Sequence, residues 1–301
     1  MNNIASDALL ERLRLTKKMR FWRVISFLVL AAWLLTLTAP EKKIHGSYIA
    51  RIAIEDIIFE DSERDEIIRE LATDSQVKAV LVTINSPGGT VVGGETLYLA
   101  LREVGKKKPV VALLGTVAAS GGYMAALGAE QIFARQGTLT GSIGVLMQSA
   151  EITDLAKKLG IGIISFKSSE LKGAPSPFEK VTPAVSQAIA DTITDTYQLF
   201  LGMVIERRGL TDAQARIVAD GRVYTGRQAL KNKLIDAIGG EEEAKIWLEE
   251  KHKISRDTSV KDVALKADKM PWQNWETFLP FDWWRHRVNA ANGGLMVLWQ
   301  Q

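Results

Sequence analysis

The 301-residue chain contains no cysteine. Thiol nucleophiles, thiolate metal sites and disulfides are therefore excluded together. Such a composition is compatible with an oxidising compartment without requiring one. Histidine is scarce: His45, His252 and His286 are scattered, with no spacing suited to a metal ion. Charge is nearly balanced at a formal net of +3, with part of the positive charge near the N-terminus, so nothing points to nucleic acid. No internal repeat or low-complexity segment is present.

Residues 1–20 are polar and basic, with Arg12, Arg14, Lys17, Lys18 and Arg20. An apolar run, VISFLVLAAWLLTLTA, extends from Val24 to Ala39. As a helix it rises about 24 Å; Phe21 and Trp22, with Arg23 snorkelling to the headgroups, bring it near the ~30 Å of a bilayer's hydrocarbon core. The run lacks the polar face of a soluble helix, and no clean small-x-small cleavage site precedes Pro40. The expectation is an uncleaved transmembrane anchor over 21–40, its basic end in the cytoplasm and everything beyond about residue 41 outside it.

From Ser47 onward, short β-branched runs alternate with longer mixed segments, which argues for an α/β fold with a parallel or mixed sheet. Tyr48–Ile54, Val77–Ile84, Pro109–Leu114, Gln131–Ala134 and Ile161–Ser165 read as strands. Glu60–Thr73, Gly94–Val104 and Tyr123–Gly128 read as helices. Thr182-Pro183 opens a long helix that closes at Arg207-Arg208-Gly209, and further caps stand at Thr211 and Thr225. The C-terminal stretch holds Trp272, Trp275, Trp283, Trp284 and Trp299, broken by Pro271 and Pro280. Such a tail either contacts a membrane or apolar partner, or packs its rings back on the domain.

Two glycine-bracketed segments end successive apolar runs, Asn85-Ser86-Pro87-Gly88-Gly89 and Ala118-Ala119-Ser120-Gly121-Gly122-Tyr123. Ser120 falls where a strand and short loop deliver the chain into a helix, so its Oγ is expected near free amides and the positive end of the helix dipole. Gly121 and Gly122 keep the backbone open to a substrate carbonyl. Attack on an amide creates an oxyanion needing about two donors. Gly121 is one candidate, and Gly88 or Gly89, at the end of the neighbouring strand, is the other. Either segment alone is also a common strand-to-helix turn; together and in order they indicate a serine hydrolase. The serine needs a base, and a lysine serves when burial favours its neutral form. Lys172 precedes the rigid Gly173-Ala174-Pro175-Ser176-Pro177. Lys167 competes with it, and composition alone leaves the choice open.

The ordered motifs NSPGG at 85–89, AASGGY at 118–123, TGSIGV at 140–145, KSSELKGAPSP at 167–177 and GRVYTGRQA at 221–229 resemble those of the signal peptide peptidase A family of serine proteases (protease IV-like), in its short single-unit form. The resemblance covers most of the chain after the expected anchor. It implies a Clp protease/crotonase-like fold, Ser120 as nucleophile, Lys172 as general base and Ser142 as the residue orienting the lysine amine. It implies no cofactor or metal, and a ring-like homo-oligomer in which Ser120 of one subunit meets Lys172 of its neighbour. The family's KSGxxKD pattern is KSSELKG here, with Ser169 in place of a glycine and Gly173 in place of an acid. Asn232-Lys233 also stands where the family often has glycine.

The expected organisation is a cytoplasmic segment 1–20, the anchor 21–40, a Ser-Lys peptidase domain 41–240 and a helical, tryptophan-rich tail 241–301. The expected activity is hydrolysis of remnant signal peptides and other apolar peptides outside the cytoplasmic membrane, with membrane lipid and other copies of the chain as further partners. Pockets for apolar side chains are expected near 89–95 and 141–148. The rivals are a crotonase-like acyl-thioester enzyme, a Clp-type Ser-His-Asp site and an inactive scaffold. Coenzyme A would not be met outside the membrane, no histidine occurs between Ser120 and His252, and Ser120 and Lys172 are both retained.

Overall fold

A computed structural model describes residues 18–19, 22–23, 25–30 and 46–265, together with the backbone of 296–298. Contacts divide the chain into Met1–Gly46 and Ser47–Gln301. In the first unit Lys18, Met19, Trp22, Arg23 and residues 25–30 are helical, and among the described residues no helix is long and apolar enough to cross a membrane. Phe21, Val24 and 31–40 of the expected anchor lie outside the described residues, as do Trp272, Trp275, Trp283, Trp284 and Trp299.

The second unit is built on one mixed sheet. Its strands are β1 Tyr48–Ile58, β2 Val77–Thr90, β3 Val110–Ala119, β4 Gln131–Ala134, β5 Leu139–Gly141, β6 Val223–Thr225, β7 Ala237–Ile238, β8 Val260–Asp262 and β9 Met296–Leu298. The main order is β6-β5-β3-β2-β1-β8, with β4 joining β3 to β7. All pairs are parallel except β5–β6 and β2–β9. Valine and isoleucine dominate β1 to β3 because helices cover both faces, so Val80, Leu81 and Val82 are all fully buried with no alternation. β3 pairs with β4 from Val111 to Leu114 and then with β5 from Val117 to Ala119, so the sheet forks near its C-terminal end.

Eight described helices follow in the same unit: α1 Ser62–Glu70, α2 Val91–Gly105, α3 Gly121–Ala126, α4 Thr153–Lys158, α5 Pro183–Arg208, α6 Asp212–Val218, α7 Gly226–Lys231 and α8 Glu241–His252. The caps act as the sequence suggests. Thr182, Thr211 and Thr225 accept from the amides of Val185, Gln214 and Gln228, and Gly209 ends α5 in the left-handed conformation. Leu97, Leu101, Tyr123, Met124, Phe200 and Val204 fill the larger core. On the other side Ala244 and Leu248 of α8 cluster with Ile49, Leu81, Val111 and Phe133.

Three details depart from the sequence reading. The β2 strand does not stop at Ile84 but runs through Ser86-Pro87-Gly88-Gly89 to Thr90, because Ile57 and Ile58 of β1 continue to pair with Gly88 and Gly89. Ile161–Ser165 forms no strand; its side chains are exposed, and among the described residues no strand pairs with it. Residue 240 marks no boundary, since α8 packs in the core and β8 pairs with β1 at Ile49, Ala50 and Arg51. Arg51 binds Asp262 through two nitrogens and also reaches Glu241 at 2.8 Å, which fixes this edge of the sheet.

Candidate active site

Each residue of the first glycine segment has a visible part in holding the end of β2. Asn85 Oδ1 accepts the Val117 amide at 3.2 Å, tying β2 to β3 where their backbone register shifts. Ser86 is fully buried, and its Oγ donates to the Asp56 carbonyl at 2.5 Å while accepting the Gly88 amide at 3.1 Å. Asp56 has φ 57° and occupies the irregularity between Glu55 and Ile57 in β1. Pro87 contributes no donor. Gly88, at φ 122°, adopts a conformation that side chains disfavour. At Gly89 a Cβ would stand 1.8 Å from the Ile58 carbonyl oxygen, closer than any atom fits.

The second segment lies directly against the first. A Cβ on Gly121 would be 3.1 Å from the Gly89 nitrogen, and one on Gly122 would be 2.9 Å from the Ser86 carbonyl oxygen. Gly94 in α2 allows the same close approach from another side, facing Met124 and Gly121. Small residues at all three positions thus bring α3 onto the end of β2. Ser120 is the residue before α3, with φ 54° and ψ −118°, a strained conformation for a residue with a side chain. Its amide donates to the Gly141 carbonyl at 2.8 Å, and its own carbonyl accepts the Met124 amide at 2.8 Å. Its Oγ is buried and has no hydrogen-bond partner among the described residues.

A third loop completes the surroundings. Thr140 Oγ1 donates to the Ala118 carbonyl at 2.6 Å, so β5 holds the strand that delivers Ser120. Ser142, one residue past β5 at φ 49°, is buried, and its amide donates to Arg222 at 2.8 Å. Nothing here is a strong charge. The site is a hydroxyl ringed by backbone amides and glycines.

Lys172 is not joined to this hydroxyl within one chain. It lies on an exposed segment, its amide donating to the Ser169 carbonyl at 3.2 Å. Lys167 is committed elsewhere, since its ammonium is bonded to Glu179 and holds that carboxyl below its ordinary pKa. Around Lys172 the chain exposes unusual apolar surface, with Ile164 at 80% and Phe166 at 97% accessible.

Of the expected oxyanion donors, Gly89 lies against Gly121, the residue that follows Ser120, whereas the Gly88 amide is turned to Ser86 Oγ. Residues that the sequence reading passed over are Ser86, Asp56, Gly94 and the support beneath α3. There the Tyr123 hydroxyl donates to the Leu234 carbonyl at 2.7 Å, and burial pushes the phenol pKa up, so it remains a neutral donor. Arg207 grips the carbonyls of Leu127 and Ala129, each at 2.8 Å, just past the end of α3. Positive φ at a non-glycine residue and contacts across a hundred residues leave no local signal in a sequence.

The comparisons agree with this architecture. The family model of peptidase family S49 matches residues 102–255. A protease-named protein of Methanocaldococcus jannaschii is 36% identical over 219 residues, covering 71% of this chain and 70% of that one. Another, from Synechocystis, is 37% identical over 210 residues, with 69% and 76% covered. Protease 4 of Haemophilus influenzae is 32% identical over 229 residues, which are 72% of this chain and 37% of that protein. The chain thus belongs to peptidase family S49, the signal peptide peptidase A family, and is a peptidase.

Proposed function

We propose that the chain is a membrane-anchored serine endopeptidase that uses Ser120 and Lys172 to cleave remnant signal peptides and other apolar peptides on the outer side of the cytoplasmic membrane. The observation that carries the reading is the buried Ser120 Oγ, without a hydrogen-bond partner among the described residues and one position before Gly121, which packs against Gly89. A buried hydroxyl without a partner is disfavoured, and its retention beside backbone amides suits a nucleophile. The apolar run from Val24 to Ala39 supports the anchor, and its basic flank supports the orientation.

In this reading the amine of Lys172 takes the Ser120 proton as Oγ attacks the scissile carbonyl. The amides of Gly89 and Gly121 bind the oxyanion, and Ser142 orients the amine. The resulting ammonium gives its proton to the leaving amine, and water then releases the acyl group. An exposed ammonium is a poor base, so the amine must be desolvated by something other than its own chain. A ring of subunits does this by bringing Lys172 of the partner subunit to Ser120. The apolar side chains exposed around Lys172, Ile164 and Phe166 foremost, suit burial between subunits.

The test is hydrolysis of an apolar fluorogenic peptide by the detergent-solubilised full chain. Ser120→Ala and Lys172→Ala each abolish turnover, whereas Lys167→Ala keeps it. Mixing the two inactive variants as dissociated subunits restores activity at about a quarter of interfaces, because a head-to-tail contact then pairs an intact serine with an intact lysine. Turnover that survives Lys172→Ala removes the proposed base. A mixture that stays inactive after verified exchange removes the shared site. A wild type that cleaves no apolar peptide moves the reading to a scaffold of the same fold.

A further inference from the structure

The Ser86 hydroxyl bonds both β1 and the glycine pair at the end of β2. It has a single proton, which it donates to the Asp56 carbonyl at 2.5 Å, and its oxygen accepts the Gly88 amide at 3.1 Å. The same oxygen is 3.3 Å from the Gly88 carbonyl, a weaker alternative for that proton. Asp56 offers its carbonyl because it bulges from β1 at φ 57°. Successive amides of an extended strand point to opposite edges. With the Gly88 amide held on Ser86, the alternation places the Gly89 amide on the edge away from β1, the edge along which Gly88–Thr90 also pair with Met296–Leu298 of β9. That agrees with the Gly89 nitrogen lying 3.1 Å from the position of a Cβ on Gly121.

We propose that Ser86 is a positioning residue for peptide hydrolysis: its hydroxyl withdraws the Gly88 amide from the site and aims the Gly89 amide at the oxyanion that forms on attack by Ser120. This inference rests on the peptidase reading above. Ser86 touches no reacting atom, and its influence passes through the direction of one neighbouring amide. Ser86→Ala leaves the Gly88 amide and the Asp56 carbonyl without their shared partner, and the glycine pair is then free to rotate. The transition state loses an aligned donor, whereas the substrate ground state, with less charge on its carbonyl oxygen, loses little.

The experiment compares the full-length wild type and Ser86→Ala with an apolar fluorogenic peptide and with the matching peptide boronic acid. Ser120 Oγ adds to the trivalent boron and gives up its proton to the base, forming a tetrahedral anion with no leaving group, one of whose oxygens lies where the oxyanion would. The expected result is a fall in kcat of about 10- to 100-fold with KM within about twofold, and a parallel loss of boronate affinity. A variant with unchanged kcat and boronate affinity, or one that loses only KM, overturns the proposal while leaving the peptidase reading intact. A wild type that neither cleaves the peptide nor binds the boronate overturns both. Should Ser86→Ala fail to fold, the crystal structure of the wild-type adduct decides. Gly89 nitrogen within hydrogen-bond distance of a boronate oxygen, with Gly88 still on Ser86, supports the assignment; Gly88 nitrogen on that oxygen refutes it.

Discussion

Replacing Ser120 is expected to stabilise the subunit while abolishing its chemistry. The hydroxyl is buried without a partner, and such a group costs about 1–3 kcal/mol in desolvation that nothing offsets. Ser120 precedes α3 but its side chain makes no capping hydrogen bond, so alanine forfeits no cap. Ser120→Ala is therefore expected to gain about 1 kcal/mol within a single subunit. Alanine still carries a Cβ at φ 54° and ψ −118°, a conformation that costs about 1–3 kcal/mol. Ser120→Gly releases that strain, less about 0.5–1 kcal/mol for the added freedom of the unfolded chain, and should exceed alanine by about 1 kcal/mol. For a folded unit of this size each 1 kcal/mol moves Tm by about 2–4 °C. The assay is equilibrium and thermal unfolding of the detergent-solubilised protein, at a dilution where light scattering shows monomer. The order glycine above alanine above serine is expected. An alanine variant less stable than wild type would mean that the hydroxyl has a structural partner, and a glycine variant below alanine would mean that residue 120 is unstrained.

Gly89→Ala should abolish both activity and normal folding yield, because its Cβ would fall 1.8 Å from the Ile58 carbonyl and one strand must move; soluble, active protein in normal yield would contradict the packing at the end of β2. The hydrogen bond from Arg51 holds the Asp262 carboxyl below its ordinary pKa. The folded value lies beneath the unfolded one, so this stabilisation is complete above about pH 4 and disappears as pH falls through the lowered value. Asp262→Asn should flatten that part of the acid-unfolding curve, with a small effect because the carboxylate is largely exposed to screening solvent; an unchanged acid slope would exclude the contribution.

Much of the site was legible because its requirements are local. Paired glycines after an apolar run mark places where backbone must approach backbone, and the order of the two segments marks neighbouring strands. What escaped was what only the third dimension supplies. Nothing around Asp56 announces a residue at positive φ, yet its carbonyl holds Ser86. The strand reading of Ile161–Ser165 followed β-branching alone, which describes how a side chain fits a sheet without providing one. The reading of Val77–Ile84 as the whole strand, with a glycine turn after it, stopped β2 too early; a proline needs only an unpaired amide position, and the strand continues past Pro87 to Thr90. Lys172 and Lys167 differ in a contact, with Glu179, that neither their spacing nor their neighbours in sequence revealed.

The pairing of β1 with β8 has a consequence for when the molecule comes into being. Arg51 meets a carboxylate 211 positions further along, so the first strand of the sheet remains without one neighbour until nearly the whole folded unit has been synthesised. Contacts of such long range form late, after the entropy of closing the intervening loop has been met. Tyr123, three residues past Ser120, likewise waits for the carbonyl of Leu234. A nascent or truncated chain therefore holds Ser120 without the support that aligns it. A hydrolase built in this way matures only once β8 has been made, so residues 48–240 alone lack part of the framework that supports Ser120.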